Sequence, residues 1–345
     1  MTDKTPTVHD VARRAGVSTA TVSRALSDAD KLHPDTLERV RQAIEELGYL
    51  PNGAARGLTS RKTRVLALCF LDQGDPESDA GDDAMLYIDG VVRGMERAAR
   101  ERGYAILIGA VQDPDAALDL AVSLASRADG IVLLGQAAPS SAIQRLKRLP
   151  VVVVAGRCED DQGWVDQVRV DNAAGMTELV THLIEVHGHT RLAYLGGPAD
   201  SPDAAERWAA FRATLTAAGL PVPLPLVGDF TQHTGAQAAE VLDPVPGAVV
   251  CANDQMAIGL MTALRDRGVR VPEEVAVVGF DGIDLGRHVR PALTTVRQPM
   301  QPIGAAAVTL LERRLRVRDL PPEDLRLPTQ LIIRASCGCP IPRLA

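Results

Sequence analysis

The sequence predicts a small all-helical N-terminal unit followed by a larger two-lobed α/β unit whose lobes are built on parallel sheets. Three observations predict this fold class. Cap and turn signals divide residues 1–50 into short helices. Beyond residue 64, short apolar runs alternate with helical patterns in two successive series, which is typical of buried parallel strands. The 345 residues also exceed the roughly 150 residues expected of one domain.

Three helices are predicted in the first unit. Thr7-Val-His-Asp10 has the form of a capping box, and apolar residues at helical spacing follow it, so a first helix of about eight residues is expected. Gly16 supplies a tight turn and Ser18 caps a second helix over 19–26, a spacing typical of a helix-turn-helix. The third helix is predicted over 34–47, with proline at its start and glycine after its end.

The segment that follows the helices, residues 51–64, is small, polar and basic. Gly53 and Gly57 lower its helix propensity, and its length is marginal against the roughly 12 to 15 residues that an isolated helix needs. The sequence therefore predicts a linker here, or a helix too weak to persist alone.

The larger unit is predicted as two series of strands and helices, which favours two parallel α/β lobes. The predicted strands are 65–71, 104–111, 130–135 and 151–155 in the first series, and 192–195, 248–252 and 275–280 in the second. The predicted helices are 86–102, 115–127, 140–148, 172–187, 203–218 and 254–267.

The charge of the chain is unevenly distributed. The formal net charge is −7, yet residues 1–64 hold 11 Lys and Arg against 8 Asp and Glu, so the N-terminal end is the basic one. The opening residues lack the apolar core of a signal peptide, and the apolar runs are too short to span a bilayer. A cytoplasmic protein is expected.

The second helix carries the residue types that a DNA-reading helix needs. The major groove admits a helix and rewards an arginine that bonds to guanine, and Thr19, Ala20, Ser23 and Arg24 fit that requirement. Each exposed side chain taken alone is equally explained as a solvated one. Residues suited to phosphate contacts, which position a protein without reading sequence, are Thr21, Ser23, Arg13, Lys31 and Arg41, and Thr7 is a further candidate for DNA contact.

A longer pattern is more specific. The run Asp10-Val-Ala-Arg-Arg-Ala-Gly-Val-Ser-Thr-Ala-Thr-Val-Ser-Arg24 resembles the LacI/GalR repressors. The resemblance continues in family order over nearly the whole chain, in Leu47-Gly-Tyr-Leu-Pro-Asn52, Ala252-Asn-Asp-Gln-Met-Ala-Ile-Gly259, Val277-Val-Gly-Phe-Asp281 and Pro291-Ala-Leu-Thr-Thr-Val296.

The resemblance implies a transcription repressor that binds a near-palindromic double-stranded operator as a homodimer, associates with the bacterial nucleoid, and answers to a small-molecule effector, with a sugar as the first expectation. It implies a periplasmic-binding-protein-like (type I) body behind the helix-turn-helix head. The expected domains are the head (1–50), a hinge (51–63) and an effector-binding and dimerisation body (64–345), with a first lobe of about 64–167 and 298–328 and a second lobe of about 168–297 and 329–345.

The same resemblance gives the linker a role. It implies a hinge helix that folds on DNA, in which Leu58 wedges into a minor-groove step; such a wedge bends DNA so that more protein surface touches it. The positions that match the family hinge are Asn52, Ala55 and Arg56. Gly53 departs from the family pattern and lowers hinge helicity.

Effector-binding residues are expected at the carboxyl ends of the parallel strands. Asn253 and Asp281 each follow a predicted strand, and Arg207 can reach the same mouth from a helix; a carboxylate, an amide and a guanidinium together suit a polyol. The resemblance implies that these three positions grip effector hydroxyls. Asn253 could instead merely cap its helix, and Phe280 and Trp208 are candidates either for a sugar face or for the core.

Metal binding and catalysis find no support in the sequence. Cys337-Gly-Cys339 lacks the C-x-x-C spacing and further ligands nearby, and His187 and His189 at i, i+2 do not share a helix face. No nucleophile elbow or phosphate loop is present, so no cofactor, metal or catalytic residue is expected. Two alternatives remain open: a sugar-binding protein of a transport system, and an enzyme on the same scaffold.

Overall fold

The computed structural model describes residues 6–27, 32–49, 62–71, 85–135, 140–156, 164–317 and 319–340. The chain forms two compact units, Met1–Thr63 and Arg64–Ala345. The sequence predictions that fall on Lys31, Asn52, Gly53, Ala55, Arg56 and Leu58 lie outside the described residues.

The first unit contains the three predicted helices, α1 (Val8–Ala15), α2 (Thr19–Ser27) and α3 (Pro34–Leu47). The capping box at the start of α1 is confirmed, because Thr7 and Asp10 bond reciprocally. Gly16 ends α1 with φ +65°, a left-handed conformation that glycine adopts without strain. The helices enclose a small core whose fully buried members include Val11, Val22 and Val40.

The body consists of eleven described strands and eight described helices. The strands are β1 (Val65–Leu71), β2 (Ala105–Val111), β3 (Gly130–Leu134), β4 (Val151–Val154), β5 (Asp166–Val170), β6 (Leu192–Leu195), β7 (Ala248–Cys251), β8 (Ala276–Asp281), β9 (Thr294–Arg297), β10 (Asp324–Leu327) and β11 (Gln330–Ile332). The helices are α4 (Met85–Glu101), α5 (Pro114–Ala125), α6 (Ser140–Arg145), α7 (Asn172–Glu185), α8 (Pro202–Ala217), α9 (Gln232–Val241), α10 (Asp254–Asp266) and α11 (Met300–Arg316).

Two sheets divide the body into two lobes. The first sheet has the order β10-β5-β4-β3-β1-β2, and all its pairs are parallel. The second has the order β11-β9-β8-β7-β6, and it departs from the expected all-parallel arrangement because β11 pairs with β9 antiparallel. Strand β11 enters the second sheet from β10 of the first sheet and joins the edge beside β9, where an antiparallel neighbour needs no crossover helix.

The chain passes between the lobes three times, and the three crossings lie side by side. The first crossing, at Asp171, joins β5 to α7. The sequence predicts this crossing near residue 168, which lies inside β5. The second, at Gln298 and Pro299, joins β9 to α11, and the third joins β10 to β11. Asp171 donates its backbone N–H to Leu327, and Thr329 donates its hydroxyl to the Asp171 carbonyl.

Two helices of the first lobe pack closely against each other. Helices α4 and α11 approach where each carries a glycine: a Cβ on Gly94 would overlap the backbone of Gln301, and a Cβ on Gly304 would overlap the backbone of Val91. Glycine at both crossings therefore permits backbone-to-backbone contact. Among the helices that the structure describes, none is both long and apolar enough to cross a membrane.

Candidate functional sites

Helix α2 presents a polar face to solvent and an apolar face to the head core. Ala20, Ser23 and Arg24 are exposed, and Thr19 is half-buried, while Val22 on the opposite side is fully buried. The i, i+3 and i+4 spacing places Ala20, Ser23 and Arg24 on one face. The geometry that a major-groove reading helix needs is present on this face.

The other described candidates for DNA contact are partly occupied within the head. Thr7 donates its hydroxyl to Asp10 at 2.6 Å, and the Thr21 hydroxyl lies 2.9 Å from the Ser18 hydroxyl. Arg13 is exposed and lies 3.5 Å from Asp10. Arg41 is exposed on α3. A hydroxyl has one hydrogen and a phosphate oxygen only accepts, so Thr7 could donate to a phosphate only by giving up its bond to Asp10, whereas Thr21 could donate if Ser18 supplies the hydrogen of their pair. Phosphate contact stays a prediction for these positions.

The body contains a cleft between its two lobes, at the carboxyl ends of strands from both sheets, as the general rule for parallel sheets predicts. It encloses about 830 Å³ of space, its open mouth included. The first-lobe wall is mainly apolar, with Phe70, Leu71, Tyr87, Ile88, Leu134, Gly135 and Ala155. The second-lobe wall is mainly polar, with Ser201, Asp203, Arg207, Asp229, Phe230, Thr231, Asn253, Gln255 and Asp281, and Gln298 lies at a crossing.

Arg207 is the central group of the polar wall. It is only 3% exposed, and its Nε donates to Asn172 at 2.8 Å. Its Nη1 donates to the Ala252 carbonyl at 2.7 Å and to Asp281 at 3.3 Å. A buried guanidinium needs its donors satisfied, and these bonds fix its plane. Arg207 therefore has two roles: it holds the neighbouring side chains of the polar wall in place, and it faces the cleft.

Asp281 ends β8 with its carboxylate in the cleft. It is 4% exposed, accepts from Gln298 Nε2 at 2.6 Å and has φ +119°, an unusual backbone conformation for a residue with a side chain. Burial raises the pKa of Asp281 to about 6, although Arg207 opposes that rise. Strained backbone and a perturbed carboxyl at one position are typical of a functional site.

Asn253 has both roles that the sequence left open. Its Oδ1 accepts the backbone N–H of Met256, which makes it the N-cap of α10, and its side chain also lines the cleft. Its Nδ2 donates to the Phe230 carbonyl at 2.9 Å and to Gln255 at 3.2 Å. With both donors engaged, Asn253 offers a ligand only the remaining lone pair of its oxygen.

Gln298 carries an unfilled acceptor. Its side-chain Oε1 is buried and accepts no hydrogen bond within the described part of the chain, while its Nε2 is held by Asp281. A buried polar atom without a partner costs about 1–3 kcal/mol, so this oxygen is available to accept a hydrogen bond from a ligand in the cleft.

Two of the five predicted effector residues lie elsewhere. Trp208 packs into the aromatic core of the second lobe, with ring centroids 5.1 Å from Tyr194 and 5.7 Å from Phe211, and it is absent from the cleft wall. Phe280 is fully buried beneath Arg207, whose guanidinium carbon lies 3.9 Å above the ring. Because alternate residues of a strand point to opposite faces, Asp281 faces the cleft and Phe280 does not. The expectation that they pack on a sugar face is corrected to core roles.

The sequence reasoning missed several cleft residues. Asp203 lies one helical turn before Arg207, 3.8 Å from its Nη2, so an i, i+4 acid–arginine pair was the available signal. Gln298 follows β9, which was not predicted, and Asp229 and Phe230 precede α9, which was not predicted either. The apolar wall, which includes Tyr87, faces the polar wall only because the two lobes pack together, and no local sequence pattern predicts that packing.

The cleft is acidic. Its lining includes three carboxylates, on Asp203, Asp229 and Asp281, against one guanidinium. Burial raises the pKa of Asp203 above its usual value, and the Thr231 and Thr234 side chains hold the pKa of Asp229 below it against the effect of burial. Burial also raises the pKa of Tyr87, so its hydroxyl stays a donor at neutral pH.

Comparison with known families gives two matches. Residues 7–52 match the family described as bacterial regulatory proteins, lacI family. Residues 180–337 match the periplasmic binding protein-like domain.

Three curated relatives align over almost the full chain. The HTH-type transcriptional regulator CelR of Thermobifida fusca is 36% identical and covers 96% of this chain and 98% of its own length. Catabolite control protein A of Priestia megaterium is 32% identical, covering 96% and 98%. The ribose operon repressor of Escherichia coli K12 is 32% identical, covering 96% and 99%.

Two solved structures are similar over the same extent. A CelR–cellobiose complex superposes with a TM-score of 0.71 at 33% identity, covering 96% of this chain and 99% of that one. The lac repressor dimer bound to operator and the anti-inducer ONPF superposes with a TM-score of 0.84 at 26% identity, covering 97% and 99%.

Proposed function

Because this chain belongs to the LacI family of bacterial transcription regulators, we propose that it represses transcription from a near-palindromic operator and that an uncharged polyol, most simply a sugar, controls its operator affinity from the cleft. Catalysis is no part of this proposal, because the relatives of this chain are transcription regulators. We place its action in the bacterial cytoplasm, where the operator is.

The DNA contact is proposed for the exposed face of α2. Thr19, Ala20 and Arg24 would read base edges, and Ser23 and Thr21 would hold phosphates. Two such helices on a homodimer would enter successive major grooves, which explains a near-palindromic site. The lac repressor structure with operator is a dimer, and this chain is similar to it over 97% of its length.

The coupling between cleft and operator is proposed to pass through the segment 51–63. Asn52, Ala55, Arg56 and Leu58 would form a hinge helix that orders only on DNA, with Leu58 in the minor groove. Effector binding would shift the population of lobe arrangements toward one in which the paired hinges cannot stay helical. Because linkage is reciprocal, operator DNA would weaken effector binding by the same factor.

The ligand class follows from the cleft walls, and the unfilled Oε1 of Gln298 is the observation that carries it. One ligand hydroxyl can donate to that oxygen and a second can donate to the Asp281 carboxylate, while their oxygens accept from Arg207 or Tyr87. The apolar first-lobe wall suits the C–H face of a sugar ring. Three carboxylates against one guanidinium would repel a phosphate group, so the proposal is for an unphosphorylated sugar rather than a sugar phosphate.

A ligand screen tests this proposal. We expect at least one unphosphorylated mono- or disaccharide to raise the melting temperature of the full chain and to release it from a selected operator fragment in a mobility-shift assay. Gln298→Met keeps the side-chain length and removes both the Oε1 acceptor and the Nε2 bond to Asp281, so it should weaken binding of that ligand by roughly tenfold or more, about 1.4 kcal/mol.

Gln301→Met is the matched control, because Gln301 is exposed three residues further along the chain. It should bind the sugar like the natural protein. Stabilisation by sugar phosphates alone, or equal losses in both variants, would contradict the assignment of the cleft. Operator affinity that no stabilising ligand changes would contradict the regulatory coupling.

A further inference from the structure

Two histidines and two cysteines converge in the second lobe, away from the cleft. His182 lies in the last turn of α7 and His187 just beyond its end; Cys337 ends the 3-10 helix Ala335–Cys337, and Cys339 follows two residues later. The four ligand atoms all lie within 4.8 Å of one another. His182 and Cys337 are 8% and 1% exposed, so the cluster is sheltered from water.

Four of the six distances between the ligand atoms are close to the edges of a metal tetrahedron, and the other two are no longer than 4.8 Å. Zn²⁺ bonds of about 2.0–2.1 Å to nitrogen and 2.3 Å to sulfur give tetrahedral edges of about 3.3 Å between two nitrogens and 3.6 Å between nitrogen and sulfur. The two Nε2 atoms of His182 and His187 are 3.2 Å apart. His182 Nε2 lies 3.6 Å from each sulfur, and His187 Nε2 lies 3.3 Å from the Cys339 sulfur.

The local backbone explains how a Cys-x-Cys pair can supply two ligands from so short a span. Gly338 has φ +100°, a left-handed conformation that favours glycine, and it reverses the chain between the two sulfurs. A Cβ at Gly338 would lie 3.4 Å from the His187 ring, an ordinary van der Waals contact, so the positive φ rather than a lack of room favours glycine here. On the cysteine side, Thr294 donates its hydroxyl to Cys337 Sγ at 3.1 Å, an outer contact that orients a thiolate ligand.

We propose that His182, His187, Cys337 and Cys339 form a structural Zn²⁺ site. Two imidazoles and two thiolates in a tetrahedral arrangement are the donor set that Zn²⁺ favours, and four protein ligands leave no open position for a substrate. The sequence-based expectation of no metal rested on the lack of further ligands near the cysteine pair. The fold supplies them from 155 and 157 residues away along the chain.

Such a site would hold two parts of the chain together rather than catalyse a reaction. Helix α7 starts beside the cleft, where Asn172 accepts from Arg207, and reaches the cluster ten residues later, about 15 Å along its axis. The metal would therefore fasten the end of the chain to the far end of a cleft helix. Binding energy of the native site is folding energy, because the unfolded chain does not hold the four ligands together.

Metal analysis of the full chain tests the proposal. Protein purified under reducing conditions, stripped with a chelator and then dialysed against Zn²⁺ should retain one metal ion per chain after removal of free metal. Cobalt substitution should give the intense visible bands of a four-coordinate ion and the charge-transfer band of thiolate ligands. Both His187→Ala and Cys339→Ala should lower the retained metal by roughly tenfold or more.

Matched controls keep the result independent of simple misfolding. His189→Ala removes the imidazole whose ring centroid lies 6.0 Å from that of His187 and which is outside the cluster, and Cys251→Ala removes a buried thiol of β7. Both should retain one zinc ion per chain. No stoichiometric metal in the natural protein, a Cys337–Cys339 disulfide after reducing purification, or equal metal loss in the controls would overturn the proposal.

Discussion

Arg24 and Arg41 are both exposed arginines of the head, yet they should affect DNA binding differently. Arg24 lies on the α2 face assigned to base reading, whereas Arg41 lies on α3 and is expected to contact only phosphate. We predict that Arg24→Ala loses about 1–3 kcal/mol of operator binding and relaxes preference at one base pair, while Arg41→Ala weakens all DNA about equally. Mobility shifts on operator and random duplexes would measure both effects.

The two variants control for each other, because each removes one positive charge from the same unit. Equal losses for both variants on both kinds of DNA would refute the assignment of Arg24 to base reading.

The buried carboxyl of Asp281 predicts a pH dependence of stability. Its folded pKa of about 6 exceeds the value of an unfolded aspartate, so the folded state binds the extra proton between about pH 4 and pH 6. This group therefore stabilises the fold relatively more at low pH, and its contribution falls as the pH rises through about 6. The free energy of unfolding of the natural protein should fall relative to that of Asp281→Asn over this interval.

Asparagine is the suitable replacement because it tolerates positive φ and keeps the side-chain shape at a residue with φ +119°. The Asp281→Asn variant loses the ion pair with Arg207, which lowers its free energy of unfolding. Because asparagine does not titrate, residue 281 adds no pH dependence to that loss. Parallel pH curves for the two proteins, measured by urea unfolding, would show that the folded pKa is not raised.

At the scale of elements, the start of α1 depends on one threonine. Thr7 accepts from within the first turn as the N-cap, and Asp10 accepts the Thr7 backbone N–H at 2.9 Å. We predict that Thr7→Ala lowers the stability of the head by about 1 kcal/mol, because orphan N–H groups of the first turn lose a partner. Thr7→Ser keeps the oxygen and should lose much less; an equal loss would show that the methyl group, and not the cap, stabilises the head.

The contact between α4 and α11 predicts an unusual cost for adding one methyl group. Alanine favours helices over glycine by about 1 kcal/mol, yet a Cβ at Gly94 would overlap the backbone carbonyl of Gln301, which cannot rotate away. The cost of this overlap should exceed the gain in helix propensity, so Gly94→Ala should destabilise the body by about 1–3 kcal/mol. Arg97→Ala, on the exposed face of the same helix, should stay within about 0.5 kcal/mol in the same denaturation assay. A stabilised Gly94→Ala variant would mean that the helices can separate at no cost.

Strands and helices with strong local patterns could be predicted from the sequence, and those that depend on distant partners could not. Leu66 to Phe70 form a continuous apolar run in β1, and that strand was predicted with its observed bounds. Strand β9 is buried through Thr294 and Thr295, whose hydroxyls bond to groups from other elements, so hydropathy gave no signal. Helix α11 was missed because Pro302 and Gly304 interrupt its pattern although its packing on α4 requires that glycine.

The candidate cleft shows the same division. Arg207, Asn253 and Asp281 were found because each stands at a motif or at a strand end, and the structure brings all three to one cleft. Gln298 and Tyr87 were missed because they reach the cleft only through the folding of both lobes. The four residues of the proposed zinc site are separated by up to 157 residues, and no spacing rule joins such distant pairs.

At the scale of the whole molecule, the division into two compact units predicts two unfolding transitions in calorimetry. An effector that binds the body cleft should move only the larger transition, by about 2.7 kcal/mol of stability at a hundredfold excess over its dissociation constant. The Thr7→Ala variant should move only the smaller one. A single transition that shifts as a whole with either change would mean that head and body unfold as one cooperative unit.

The side-by-side arrangement of the three crossings has a further consequence for the two lobes. Gln298 belongs to one crossing, and Asn172, which orients Arg207, directly follows another, so a ligand in the cleft would lie next to the crossings, on which any rotation of the lobes would pivot. Displacement grows with distance from a rotation axis, and a sub-ångström adjustment around a ligand hydroxyl therefore becomes a larger arc at the outer rims of the lobes. A small change of hydrogen bonding in the cleft, which costs little free energy, would then move the outer rims of the lobes far enough to alter their contacts with a neighbouring subunit.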